Sequence, residues 1–361
     1  MTTSLLKRSA ALFTLSALTL AAYGPAAQAQ DADKWPTRTV RLITPYPTGG
    51  APDTIARVLA EKLSRKWGQS VIVENKPGGN GFIAIDAFKR GAKDGHDLIQ
   101  LDSVHIAAYP YLFKKLPYDP AKDFDVQATL WKAYLMFVVP TASKYKTVGD
   151  VIADAKANPG KIDYGSWSIG NPVHLGMEEL QQLTGTSMQH VVYKETSQLY
   201  TAVATGELPV TLGTAGTTGP MYKAGKVRFL AVGAPQRLVA YPDVPTVAEA
   251  GGPKDYEVSG WNVIATPKGL PLAVRDKIRQ DIAEAAASTD VHDRYATLGY
   301  VPLALDRAKI EAFIQAESSA MKPSSSAPRS NCNKSSIIIF GDAIRILRVF
   351  TASSWGQTTF K

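Results

Sequence analysis

Two segments of this chain place small residues and free backbone donors where a strand hands over to a helix. The first, Pro45-Tyr46-Pro47-Thr48-Gly49-Gly50-Ala51-Pro52-Asp53, follows the β-branched run Val40–Thr44 and leads directly into a helical pattern. Its two glycines let the backbone bend, so several N–H groups converge at the helix N-terminus, where unpaired donors and the helix dipole favour an anion. A carboxylate or phosphate could be held there without any basic side chain. The same residues also read as a tight turn in which Asp53 satisfies first-turn N–H groups. The second segment, Ser166-Trp167-Ser168-Ile169-Gly170-Asn171-Pro172, repeats this logic, with His174 in the first turn of the helix that follows. Two such loops, one per domain, could face each other across a cleft. His174 by itself is read more readily as a capping or surface histidine than as a ligand.

Other chemistries leave weaker traces. Ser166 to Gly170 misses the nucleophile-elbow pattern by its first glycine, yet it sits between a strand and a helix. The alternative reading is therefore a secreted serine hydrolase using Ser168, with His174 or His190 as its base. Gly79-Asn80-Gly81-Phe82-Ile83-Ala84 after Val71–Glu74, with Asp102 further on, imitates a dinucleotide fingerprint. Pro77 and an export signal weigh against it. The five histidines have no metal-ligand spacing, and no paired carboxylates stand out, so neither a metal nor a cofactor is expected. A single cysteine, Cys332, excludes an internal disulfide and a Cys-based zinc site.

The elements that must position these loops alternate along the chain. Thr39–Pro45 is followed by a helix over Pro52–Trp67, Ser70–Glu74 by one over Gly81–Lys89, and Asp97–Leu101 closes the set. The helix from Pro52 is the clearest, with Ile55, Val58, Leu59 and Leu63 on one stripe, Pro at its start and Gly68 at its end. A second set runs from Leu135–Val139 through strands at Ile162–Trp167, His190–Tyr193 and Val210–Gly213, with helices near Val148–Ala157, Pro172–Leu183 and Ser197–Thr205. Strands over Lys226–Gly233 and Tyr256–Thr266 and a long helix over Pro271–Ser288 complete the body. Such alternation predicts an α/β protein with parallel sheets covered by helices.

The 361 residues include 40 Lys+Arg and 32 Asp+Glu, a net charge of +8, but the excess lies at the ends. Residues 1–29 read as a cleaved signal peptide: Lys7 and Arg8, an apolar run from Ala10 to Ala22, then Ala27-Gln28-Ala29. The run is too short to span a bilayer, which takes roughly 20 residues. Residues 323–361 differ in texture from the rest and read as a divergent tail. Setting aside Lys7 and Arg8, together with the tail's five basic and one acidic residues, leaves the body at +2. The basicity is therefore no nucleic-acid footprint.

An ordered series of motifs runs through this body. It comprises Pro45-Tyr46-Pro47-Thr48-Gly49-Gly50 with Asp53, Val73-Glu74-Asn75-Lys76-Pro77-Gly78-Gly79, Leu116-Pro117-Tyr118-Asp119-Pro120, Ala157-Asn158-Pro159-Gly160-Lys161, Lys223-Ala224-Gly225-Lys226 and Tyr241-Pro242-Asp243-Val244-Pro245-Thr246. The chain thereby resembles the Bug family, the periplasmic solute-binding proteins of tripartite tricarboxylate transporters. The resemblance implies a two-lobed Venus-flytrap fold, with residues 30–131 and 256–322 forming the first lobe and 132–255 the second. It implies a small organic carboxylate clamped between Tyr46, Thr48, Gly49, Gly50, Ala51 and Asp53 on one jaw and Ser166, Ser168, Gly170, Asn171 and His174 on the other. A non-enzymatic, monomeric, periplasmic receptor is expected, delivering its ligand to a membrane permease or a sensor. Bulky Trp167 and Ile169 depart from the family's usual second loop and could narrow the pocket or favour an aromatic or apolar part of the ligand. The small, uncharged Thr214-Ala215-Gly216 gives no ground for amine recognition.

Overall fold

The computed structural model describes residues 34–320. The expected signal peptide and the divergent tail with Cys332 lie outside the described residues. The chain opens with β1 (Val40–Thr44), α1 (Ala51–Trp67), β2 (Val71–Asn75), α2 (Phe82–Arg90) and β3 (Asp97–Asp102). These strands pair in parallel in the order β2-β1-β3. Adjacent strand residues point to opposite faces, so Leu42 joins α1 residues Ile55, Leu59 and Leu63 in one core, while Ile43 joins Ile85, Phe88 and Ile99 in another. Helix α1 ends on Gly68 at φ 65°, a left-handed conformation that costs glycine least.

After a π-type turn at Val104–Ala108 and two short helices, α3 (Tyr109–Leu112) and α4 (Pro120–Asp123), comes β4 (Asp125–Pro140). Its 16 residues span roughly 50 Å at about 3.3 Å per residue. Helices and strands then alternate: α5 (Val148–Ala157), β5 (Asp163–Ser166), α6 (Pro172–Thr184), β6 (Gln189–Val192), α7 (Thr196–Thr205), β7 (Val210–Thr214), α8 (Ala215–Lys223) and β8 (Val227–Val232). The chain returns through β9 (Ser259–Thr266) and finishes with α9 (Leu272–Ala286), α10 (Thr289–Leu298), β10 (Tyr300–Pro302) and α11 (Arg307–Ala320).

Strand β4 belongs to both halves of the molecule. Residues Asp125 to Tyr134 pair with β9, whereas Leu135 to Pro140 pair with β7 and β8. In the second half Leu135, Phe137 and Val139 enter one core and Met136 and Val138 the other, so both faces of the sheet are covered. The expected parallel pairing holds for β1–β3 and for β5 with β6 and β7. The crossing strands are antiparallel because β9 retraces the path of β4 in the opposite direction. Beside the crossover Lys132 Nζ donates to Glu257 Oε1 at 2.7 Å.

The sequence pattern placed the start of β4 ten residues too late. Buried Gln127 and Thr129 interrupt the apolar run there, and they find partners: Gln127 Nε2 donates to Thr266 Oγ1 at 2.8 Å and Thr129 Oγ1 to the Leu303 carbonyl. Helix α8 escaped notice because Gly216, Gly219 and Pro220 are poor helix formers. Thr214, at its N-cap, accepts from Thr217 N.

Candidate functional site

The first loop is built around Asp53, which is 1% exposed. Its Oδ2 accepts from Gly49 N at 2.8 Å and Arg57 Nε at 2.9 Å, and its Oδ1 accepts from Asn75 Nδ2 at 2.7 Å. Asn75 also donates to the Tyr46 carbonyl, tying the loop to the end of β2. Burial alone would raise the Asp53 pKa, but these donors outweigh it and hold the carboxyl below its usual range. Asp53 is thus the organiser of the loop, and the Gly49 N–H is spent on it. Thr48 and Gly49 are exposed and Gly50 and Ala51 half-buried at the open first turn of α1. Tyr46 turns inward: its phenol donates to Asp102 Oδ2 at 2.8 Å and accepts from Asn262 Nδ2 at 3.0 Å.

In the second loop Asn171 caps α6, accepting from Val173 N at 2.8 Å and His174 N at 3.1 Å. Its Nδ2 donates to the Ser168 carbonyl. Gly170, at φ 80°, donates its N–H to His174 Nδ1 at 3.1 Å. Ser166 is fully buried, with Oγ 2.7 Å from His190 Nε2, and the His190 ring lies 4.3 Å from that of His174. His174 is therefore a buried scaffold group. Trp167 packs onto both cores of this lobe, while Ile169 stays 39% exposed. Neither imidazole is placed against Ser168, since one serves Ser166 and the other Gly170.

Burial pushes both imidazoles down to about 4, and His190 is lowered further by His174. Unfolded histidine titrates near 6.5, so between about pH 6.5 and 4 the unfolded chain binds more protons than the folded one. Stability from these groups is complete above that window and lost as pH falls through it. Melting temperature is accordingly expected to drop by several degrees from about pH 7 to 5, and His190→Gln is expected to shallow that slope. An unchanged slope would assign the acid sensitivity elsewhere.

The lobes touch at three places. A Cβ on Gly216, in the first turn of α8, would lie 3.2 Å from Ala51 Cβ and 3.3 Å from Tyr300 Oη. A Cβ on Gly170 would lie 2.6 Å from Leu112 Cδ1 and 3.6 Å from Tyr109 Cε1. The first loop thus meets α8, and the second meets α3. Pro172, opening α6, stands near Gly260, which also neighbours Ser103 and Asp102. Tyr109 lies within reach of Ser168, and Tyr300 of Thr214. The sequence offered no signal for Tyr109, Asn262 or Tyr300, pointed to Thr214-Ala215-Gly216 only as a small, uncharged segment, and showed Asp102 only as part of the dinucleotide pattern. A usable signal existed for Asp102: it ends a parallel strand, where ligands of open α/β sheets bind.

The dinucleotide-like glycines have another purpose. A Cβ on Gly81 would stand 2.2 Å from His105 Nε2, which lies 3.1 Å from the Asn80 carbonyl. His105 Nδ1 accepts from Asp102 N, so Nε2 carries the proton and donates. Gly81→Val is expected to lower thermal stability by several degrees whether or not NAD is present, as a thermal-shift assay would read.

Two α/β lobes joined by crossing strands and shut upon helix N-termini at the cleft define a solute receptor of the periplasmic binding protein class. Residues 55–325 match the TctC family, described as tripartite tricarboxylate transporter family receptor, and the chain belongs to that family. A Cupriavidus necator UPF0065 protein is 34% identical over 287 residues, covering 80% of this chain and 86% of the relative. An R. palustris protein solved with adipate is 28% identical with TM-score 0.74, covering 79% and 95% of the two chains. MatC from Rhodopseudomonas palustris, solved with malate, is 26% identical with TM-score 0.71, covering 80% and 99%. The chain is thus a receptor and not an enzyme. The hydrolase reading loses its support, since both histidines it could use are engaged elsewhere, His190 with Ser166 and His174 with Gly170.

Proposed function

We propose that this receptor works outside the cytoplasm, closes on a small organic carboxylate and delivers it to a tripartite tricarboxylate-type permease or a sensor. The observation that carries the reading is the convergence on the cleft of three helix N-termini, α1 at Ala51, α6 at Pro172 and α8 at Gly216. Their dipoles and the first turn of α1, which no side chain caps, attract an anion without a buried ion pair, whose desolvation can exceed its Coulomb gain. Helix α6 contributes its dipole alone, since Asn171 already accepts from Val173 N and His174 N. The adipate and malate held by the two similar structures support a carboxylate of this size. Of the described residues, 34–131 with 256–320 form one jaw and 132–255 the other, and β4 and β9 flex as the lobes rotate. Tyr46, Thr48, Gly49, Gly50 and Ala51 present the first contact surface, and Ser166, Ser168, Gly170, Asn171 and His174 shape the second.

A thermal-shift panel of organic acids tests this. A ligand at a hundred times its Kd stabilises by about 2.7 kcal/mol, which raises the melting temperature by roughly 5 °C in a protein of this size. A broad panel with no acid shifting the transition sinks the carboxylate reading. Ester turnover abolished by Ser168→Ala would revive the hydrolase; the expected result is no turnover in either protein.

A further inference from the structure

At the base of the cleft stands a carboxylate, Asp102, that pairs with no cation among the described residues. Asp102 Oδ2 accepts from the Tyr46 phenol at 2.8 Å, and Oδ1 accepts from Ser103 Oγ at 2.9 Å and Val104 N at 3.3 Å. All three donors are neutral, and among the described residues Asp102 takes part in none of the ion pairs, in contrast to Asp53 with Arg57. The side chain is half-buried, and its Oδ1 lies 3.9 Å from a Cβ placed on Gly260, which Pro172 Cγ of the opposite lobe would meet at 3.6 Å. Three phenols feel its charge: Tyr46, Tyr109 and Tyr300. Two of them stand at the lobe contacts, Tyr109 against Gly170 and Tyr300 against Gly216.

A partly desolvated carboxylate is costly unless a positive charge meets it. The same group repels a second ligand carboxylate at close range. We infer that the ligand carries a protonated nitrogen as well as a carboxylate: the carboxylate lies at the helix N-termini and the ammonium lies against Asp102, beside the Tyr46 phenol. This rests on the carboxylate-receptor reading and narrows it. It also separates this chain from the two similar structures, whose adipate and malate carry two carboxylates each. The uncharged Thr214-Ala215-Gly216 gave no reason to expect an amine; the acidic group comes instead from the end of β3.

Titration calorimetry near neutral pH decides the matter with a ladder of straight-chain acids, each offered as monocarboxylate, dicarboxylate, α-amino acid and ω-amino acid. The expected result is at least tenfold tighter binding of one amino acid than of the dicarboxylate of equal length. Asp102→Asn should abolish that preference while changing monocarboxylate affinity less than threefold, which also reports that the site is still folded. If Asp102→Asn fails to fold, the wild-type protein decides the question. The hydroxy acid of the same length and position, which replaces the ammonium by a neutral hydroxyl, should bind at least tenfold more weakly than the preferred amino acid, and equal affinity overturns the inference. Carboxylates that bind without an amine preference, or a preference that survives Asp102→Asn, overturn this inference and leave the receptor reading standing. Failure of every acid to bind overturns both.

Discussion

Gly216→Leu is expected to leave the ligand-free protein folded and to weaken carboxylate binding by about a hundredfold or more. Gly216 sits in the first turn of α8, and its shut-form neighbours across the cleft leave no room for a branched side chain. Even a bare Cβ would approach Ala51 Cβ at 3.2 Å, and the Leu298 carbonyl and Tyr300 Oη at 3.3 Å. The obstacle exists only when the lobes meet, because Ala51, Leu298 and Tyr300 all lie on the other side of the cleft. The substitution therefore penalises one state of a two-state equilibrium, and a penalty of about 3 kcal/mol lowers apparent affinity by roughly two orders of magnitude. Gly216→Ala, with contacts that need yield only a few tenths of an ångström, should cost less than tenfold. Calorimetric affinities and solution scattering on the ligand-free and ligand-bound forms check this. Tight binding by a Gly216→Leu protein that still contracts on ligand addition would show that closure does not bring α8 onto Ala51.

This contact also marks where sequence reading stops. The loop at 45–53 was legible because local chemistry specifies it: a β-branched strand, two glycines, a helix-opening proline and an acidic residue in the first turn all lie between Val40 and Asp53. The loop at 166–174 was legible for the same reason, as were the amphipathic stripe of α1 and the two-sided apolar run Leu135–Val139. Which loop meets which element is set by the rotation of one lobe on the other, and no short-range pattern encodes that. Gly216 and Tyr300 are 84 residues apart and carry no motif between them. Asp102 was visible as a letter, yet its role depends on Tyr46, Tyr109 and Tyr300 arriving from three separate segments. The first ten residues of β4 were hidden for a different reason: Gln127 and Thr129 are buried polar groups satisfied by distant partners, so their burial cannot be read from polarity.

Asp53→Asn should lower stability by about 3 kcal/mol, roughly 6 °C or more in melting temperature, and loosen the first jaw enough to weaken ligand binding severalfold. The reason is that all three partners of this buried carboxylate are donors: Gly49 N, Arg57 Nε and Asn75 Nδ2. An amide offers one acceptor where the carboxylate offered two, and its NH2 must face a donor. Arg57 is half-exposed, so its charge contributes less than the two buried hydrogen bonds. Losing the Gly49 contact frees a residue at φ 83°, and losing the Asn75 contact detaches Tyr46 from the end of β2. The acid limb supplies an independent check. The folded carboxyl is held below the unfolded value near 3.9, so its stabilisation is complete above about pH 4 and fades as pH falls through the folded value. The gap in stability between wild type and Asp53→Asn should therefore be constant from about pH 7 to 5, where the histidines lower both proteins alike, and narrow below about pH 4. A gap that closes already between pH 7 and 5 would mean that Asp53 is protonated far more easily than its three donors allow, and the loop would need a different organiser.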